Sequence, residues 1–245
     1  AFVAVLSFTV LAFIYKDFLF DEIIFAPSNP SFPTNRGMCW LATHLDMPAL
    51  CINTAPIRIQ NIDMSGQFTT HMWVAFLAGI IIAFPYVFWE IWRFISPALY
   101  DKESRYSQGA IFVVSLLFLV GVLFGYYVIA PMSISFLVGY QVSAMVENIV
   151  TLESYISTVS SIVFSSGVLF ELPVFVLFLA KIGLVSSDFL KKYRRHAIVV
   201  VFIVAAVITP PDVVSQVMVS LPLLLLYEVS IGVARRIEKK RTLLN

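Results

Sequence analysis

Long apolar runs separated by short polar joints dominate this chain. Six of them read as helical spans, over about 1–16, 70–97, 109–135, 155–183, 195–208 and 213–234, because roughly 20 apolar residues of α-helix suffice to cross a hydrocarbon core. The fifth, HAIVVVFIVAAVI, supplies only about 20 Å of helix, against a core of about 30 Å. The sixth is interrupted by Pro222. The last two helices are therefore expected to be short, leaving a locally thinned bilayer or a re-entrant pair. The chain opens inside the run AFVAVLSFTVLAFIY. No charged leader or small-residue cleavage site precedes it, so it reads as a first span whose front end is missing.

Composition sharpens this pattern into a class. Of 245 residues, 60% are hydrophobic and 13% charged, and the mean hydropathy is +0.91. A soluble domain is nearer half apolar and a quarter charged. The expected fold is an all-α polytopic membrane protein, a single transmembrane domain over 1–245. Net charge is only +1, but its distribution is uneven. Lys102, Arg105, Lys191, Lys192, Arg194, Arg195, Arg235, Arg236, Lys239, Lys240 and Arg241 fall in the joints between spans two and three and between four and five, and in the tail. The opposite side holds only Lys16, at the edge of the loop 17–69, with Arg36 and Arg58 inside it. Positive charge marks the cytoplasmic side, and six spans then place both termini there.

The outer loop 17–69 contains both cysteines, in CWLATHLDMPALC. On an oxidising face the pair reads as a Cys39–Cys51 disulfide, with two free thiols as the alternative. The neighbouring PSNPSFP stiffens the loop and rules out regular helix there. Signatures of chemistry are missing. No phosphate-cradling G-x-x-x-x-G-K-[ST] occurs, no H-E-x-x-H and no G-x-S-x-G. His44, His71 and His196 have no partner at metal-ligand spacing. Neither cofactor nor metal is expected, enzymatic turnover is not, and any energy input must come from a membrane gradient or a partner. Internal repeats, common in secondary transporters, are also absent.

Three polar features stand out against this apolar background. Glu171, in SSGVLFELPVFVLFL, lies near the middle of span four with Pro173 two residues on. An acid at that depth costs about 2.5–3.5 kcal/mol on insertion scales. Helical counting places Gly167, Ser160, Ser157 and Glu153 on nearly its face, a stripe leading outward. Either a hydrated groove or local bonding to a neighbouring helix would explain it. Asp212 follows a double proline and suits the N-cap of span six, whereas Gln216, one turn deeper, has no such explanation. At the cytoplasmic joint FWEIWRFISPALYDKESRY, Glu103 follows a bend set by Pro97. Taken alone, it is a solvated acid. Gly121-x-x-x-Gly125 on span three points to close helix packing.

Read in order, WRFISPALYDKE, YYVIAPMSISF, FELPVFVLFLAKIGLV, FLKKYRRHAIVVVFIVAAVITPPDVVSQ and LPLLLLYEVSI resemble the TatC family, the multispanning subunit of the twin-arginine protein translocase. The resemblance runs from about Pro27 to about Glu228. It implies six spans with short fifth and sixth helices, in a concave, glove-like bundle of a bacterial inner membrane. It implies a receptor for twin-arginine signal peptides that, with TatA- and TatB-type single-span subunits, exports folded proteins on the protonmotive force. That would be a hetero-oligomer in contact with lipid and not with nucleic acid. The motif places the signal-recognition acid on Glu103, framed by Phe94, Pro97, Leu99 and Tyr100. The intramembrane acid falls on Glu171 and the polar outer pair on Asp212 and Gln216. Pro27, Phe68, Tyr127 and Pro131 match positions that serve loop shape and packing. The family's leader before span one, which carries a second recognition acid, precedes the first residue here. A secondary transporter or ion channel is the alternative reading, with a purely structural scaffold third.

Overall fold

The computed structural model describes residues 1–47, 51–55, 57–95, 107–143, 145–146, 148–181, 183–208 and 213–242. The described residues are all-α apart from one short bridge. In order come α1 (Phe2–Ile14), a π-helical turn (Phe18–Ile24), a 3-10 turn (Ala26–Ser28), α2 (Pro33–His44), β1 (Ile59–Gln60) and α3 (Gly66–Ile95). Then follow α4 (Ser107–Phe124), a π-helical turn (Gly125–Ile129), α5 (Ala130–Gly139), β2 (Val150–Thr151), α6 (Leu152–Leu169) and α7 (Leu172–Lys181). The short α8 (Ser187–Lys192), α9 (Arg194–Ile208) and α10 (Val213–Thr242) complete the chain.

Among the described residues, four helical segments are long and apolar enough to cross a membrane: Gly66–Phe94, Ile111–Gly139, Leu152–Ala180 and Gln216–Lys239. The count becomes five if α1 and the segment Phe18–His44, bent from it by 89°, are taken as one. The number six is not reached by length and composition alone. With 13 residues α1 falls short, as does α9 with 15. That shortness of α9 is what the sequence predicts. The last helix differs from expectation, because α10 runs for 30 residues. Its apolar stretch passes without a break into RRIEKKRT, whose Arg, Lys, Glu and Ile all tolerate helix.

Prolines decide where the helices deviate. A proline lacks an N–H and its ring crowds the carbonyl four residues back. Pro131 does this to Tyr127, and the helix slips into the π-helical turn Gly125–Ile129 that separates α4 from α5. The freed Tyr127 carbonyl instead accepts from Thr34 Oγ1 of α2. Pro27 stands in the same relation to Ile23, whose carbonyl accepts from Tyr126 Oη at 2.8 Å. Beside it, the Ile24 carbonyl accepts from Tyr155 Oη at 2.9 Å. Pro173 separates α6 from α7, which together make the single candidate span Leu152–Ala180 with the break the sequence places in it.

The outer loop forms a cap. Asn35, buried on α2, donates to the carbonyls of Pro27 (3.1 Å) and Asn29 (2.8 Å). Asn53 donates to Asn35 Oδ1 (3.2 Å) and to the Pro131 carbonyl (3.0 Å). The disulfide Cys39–Cys51, the pairing read from the sequence, joins α2 to the irregular stretch bearing Asn53, whose φ is +50°. A parallel bridge pairs Ile59 with Val150 and Gln60 with Thr151. Thr151 then caps α6 by accepting from the Ser154 N–H. PSNPSFP behaves as predicted, but the helix α2 directly after it is not foreseen by that reading.

Two apolar clusters hold the membrane part together. An outer one groups Leu19, Val74, Ile134, Tyr155, Ile156 and Val159. A central one groups Ile129 and Ala130 with Ile162, Val201, Ala205, Val219 and Leu223, joining α5, α6, α9 and α10. Contact between α4 and α6 is closest at glycines. A Cβ on Gly121 would lie 2.6 Å from the Ser166 carbonyl oxygen, and one on Gly167 would lie 2.8 Å from the Phe118 ring. The small-residue face predicted on span three is therefore a packing contact.

Gly121→Ala is expected to destabilise the folded protein by about 1–3 kcal/mol, the usual range for overpacking. Gly232→Ala, with open space around its Cβ, should be neutral or mildly stabilising. Thermal unfolding in detergent distinguishes them, and equal midpoints would contradict the close approach. The disulfide spans a separation of 12 residues, a loop worth about 3 kcal/mol by closure entropy. Cys39→Ser with Cys51→Ser should accelerate amide exchange across α2 while leaving α4 and α6 protected.

Candidate functional site

Glu171 sits at the break between α6 and α7. Its backbone N–H bonds to the Val168 carbonyl at 3.1 Å. Its carbonyl accepts from Val174 and Phe175, each at 3.0 Å, and starts the next helix. The break follows from Pro173, which cannot donate to Leu169. The side chain is half-buried and lies toward the Phe118 backbone of α4. Both carboxylate oxygens are buried with no hydrogen-bond partner among the described residues. The close α4–α6 contact at Gly121 and Gly167 leads directly to this point, since Phe170 also meets Gly121. No side chain among the described residues bonds to it, so the group retains bonding capacity at mid-span beside the Phe118 backbone.

The stripe outward from Glu171 divides in two. Glu153 and Ser157 are exposed and line a cavity of about 250 Å³ with Asp63, Thr69, Thr70 and Trp73. Ser160 is buried and borders a separate, apolar cavity of about 410 Å³ between α3, α4 and α6, with Glu22 at its edge. Gly167 is closed off against α4. A polar groove thus exists in the outer part, but helix packing interrupts it before Glu171.

Gln216 is held by α9, its Nε2 donating to the Phe202 carbonyl at 3.2 Å. That bond joins the first turns of α10 to the middle of α9. Asp212 lies outside the described residues. So do Pro97, Leu99, Tyr100 and Glu103. Phe94, in the last turn of α3, is 87% exposed and marks the end from which that joint leaves the bundle. The structure therefore brings Glu171 into the packed α4–α6 region and Gln216 onto α9.

Four further positions acquire roles that sequence reasoning assigns only to shape. Pro27 and Pro131 are buried carbonyl acceptors of the asparagine knot. Tyr127 stacks on Phe32 with centroids 5.4 Å apart. Phe68 is exposed at the edge of a third cavity, of about 670 Å³, which Lys16, Asp17, Asp21 and His71 also border. His71 itself stacks on Phe13 at 4.0 Å and places Nε2 3.2 Å from its carbonyl. The polar run KDFLFDE, immediately after the first apolar stretch, is the signal that could have located this cavity.

Comparison with known proteins agrees with this architecture. Residues 1–222 match the profile of the Sec-independent protein translocase protein (TatC). The TatC of Blattabacterium sp. subsp. Periplaneta americana is 39% identical over 240 residues, covering 97% of this chain and 90% of that protein. The TatC of Desulforapulum autotrophicum is 35% identical over 241 residues, covering 98% of this chain and 81% of that protein. A crystal structure of the twin-arginine translocase receptor TatC superposes with a TM-score of 0.72 at 28% identity, covering 97% of this chain and 94% of that one. Alike in sequence and in fold over nearly its whole length, this multi-pass membrane chain belongs to the TatC family.

Proposed function

We propose that this chain is the signal-peptide receptor and membrane platform of a twin-arginine translocase, exporting folded proteins on the protonmotive force without enzymatic turnover. The match of its whole fold to the twin-arginine translocase receptor carries this reading. The biased distribution of Lys and Arg supports an orientation with both termini in the cytoplasm, and the bacterial sources of the relatives support an inner membrane. In this reading α1 and α9 are the first and fifth of six crossings, and the short α9 contributes to a concave wall. TatA- and TatB-type single-span subunits complete a hetero-oligomer.

Recognition is assigned to the joint after α3. A pair of arginines presents planar, forked donors that a fixed carboxylate can bind bidentately, which a lysine's point charge cannot reproduce. Glu103 supplies such a carboxylate in this loop, with Phe94, Pro97, Leu99 and Tyr100 framing it. Glu171 is assigned to docking. An acid at mid-span without an internal partner is stabilised by a proton or by a polar group brought in by a partner helix or an inserted signal peptide. Asp212 and Gln216 are assigned to the polar outer pair, and the bond from Gln216 to α9 holds the start of α10.

Glu103→Ala is expected to weaken binding of an RR signal peptide by roughly ten- to a hundredfold, the scale of a hydrogen-bonded charge. Unfolding temperature should not change, since the sequence puts Glu103 in a polar joint between spans, where a lone acid contributes little stability. Photo-crosslinking from position 103 should capture RR and not KK peptides. Undiminished RR binding in the variant would refute the assignment.

For Glu171 two substitutions divide docking from structure. Glu171→Leu should fold normally, because no internal hydrogen bond is lost, yet lose crosslinks between span four and single-span subunits. Glu171→Gln should retain much of that crosslinking through its amide. A variant that unfolds earlier while its crosslinks per folded molecule stay constant would count against docking.

A further inference from the structure

At the end of the bundle opposite the cap, two segments about 40 residues apart in sequence are joined by polar contacts. The Ser187 N–H and Oγ both donate to Glu238, at 2.7 and 2.5 Å. Tyr227 Oη donates to the Leu190 carbonyl at 2.8 Å, and Arg194 pairs with Glu228 at 2.6 Å. Beneath these contacts Leu190 packs with Ala180, Ile231 and Ala234. The short α8 is thereby fixed along the last turns of α10, although six residues of isolated helix would not be stable in water.

This clamp has an electrostatic result. Lys191, Lys192, Arg194, Arg195, Arg235, Arg236 and Lys239 are all exposed here. The acids of the same two segments are Asp188, Glu228 and Glu238, and each already has a partner: Lys191 at 3.2 Å, Arg194 and Ser187 respectively. Among the described residues of these two segments, seven cations against three engaged carboxylates leave a surplus of four positive charges. Exposed apolar side chains lie among them. Leu184 is 73% exposed, and Phe189 and Tyr193 are 50% and 40% exposed with ring centroids 4.6 Å apart. The apolar run of α9 starts directly after Arg195 and His196, so the cations stand where that helix enters the hydrocarbon. Cations interleaved with aromatic residues at helix ends form an interfacial surface. A nucleic acid or acidic peptide would match the charge but not the exposed Leu184, Phe189 and Tyr193.

We infer that α8 and the adjoining ends of α9 and α10 form a preformed site for the phosphate headgroup of an anionic phospholipid, with Phe189 and Tyr193 seated at the level of its glycerol and upper chains. The site holds lipid against this end of the bundle, separately from signal recognition by Glu103.

The test is native mass spectrometry of the full chain released from nanodiscs of phosphatidylcholine containing phosphatidylglycerol, counting each lipid retained. The wild type should retain phosphatidylglycerol preferentially. Lys191→Gln with Lys192→Gln, or Arg235→Gln with Arg236→Gln, should each reduce that preference, by about fivefold per charge removed at low salt. Lys16→Gln with Arg36→Gln and Arg58→Gln, at the opposite end, should leave it unchanged. Glu238→Ala separates a built site from bulk charge. It removes a negative charge, so attraction by net charge alone would raise retention, whereas loss of the clamp on α8 should lower it, and Glu238→Gln should restore it through its amide. Retention unaffected by the lysine and arginine changes, or raised by Glu238→Ala, would overturn the proposal. Complete displacement by millimolar inorganic phosphate, or stronger capture of an RNA oligonucleotide by the same residues, would overturn the assignment to lipid.

Discussion

A carbonyl stripped of its helical partner inside an apolar medium must find another donor, and much of this structure follows from that requirement. In hydrocarbon no water is present to satisfy it. Pro131 and Pro27 each release a carbonyl four residues back, and each is answered by a side chain from a different part of the chain: Thr34 for Tyr127, Tyr126 for Ile23. The same logic extends to the Asn35–Asn53 knot, which gathers the carbonyls of Pro27, Asn29 and Pro131. Helix irregularities thereby become the points at which the outer cap is attached to the spans. The disulfide reinforces an arrangement that these bonds already define.

Close approach at glycines governs the other half of the fold. Gly121, Gly125 and Gly167 bring α4 against α6 with no room for a Cβ. Small residues at such a contact replace the hydrophobic driving force that lipid removes between helices. This contact also directs Glu171 toward the Phe118 backbone and shuts the polar stripe above it, so the acid lies at the end of a packed seam, not in an open channel. Its helix break is a consequence of the local sequence FELP, whereas its unpartnered oxygens follow from the packing of α4 around it.

The two ends of the molecule differ in how their polar groups are used. At the capped end, hydrogen bonds and a disulfide tie the loops to the spans, with polar cavities between them. The opposite end keeps its acids internally engaged and its cations exposed, along a short helix held by Glu238 and Tyr227. A receptor in a membrane needs both properties: a rigid frame for the spans, and a charged face that meets lipid and ligand.

Much of this was legible in the sequence. Apolar run length identified an all-α membrane protein, the Cys39–Cys51 pair emerged from an oxidising loop with two cysteines, and the motifs around Glu171 and Pro97 indicated the TatC family. These readings succeed because they rest on local composition and chain order. The tertiary structure was needed wherever one segment's chemistry is completed by a distant one. No spacing reveals that Thr34 serves Tyr127, or that Glu238 fixes Ser187 from 51 residues away. Nor did the pattern show that α10 would run for 30 residues, since the end of hydrophobicity is not the end of helix propensity. Run length alone could not settle the number of crossings either, because α1 and α9 are short. A carbonyl's partner, a helix's continuation and an acid's surroundings depend on which side chains meet in space, and a linear pattern does not encode that directly.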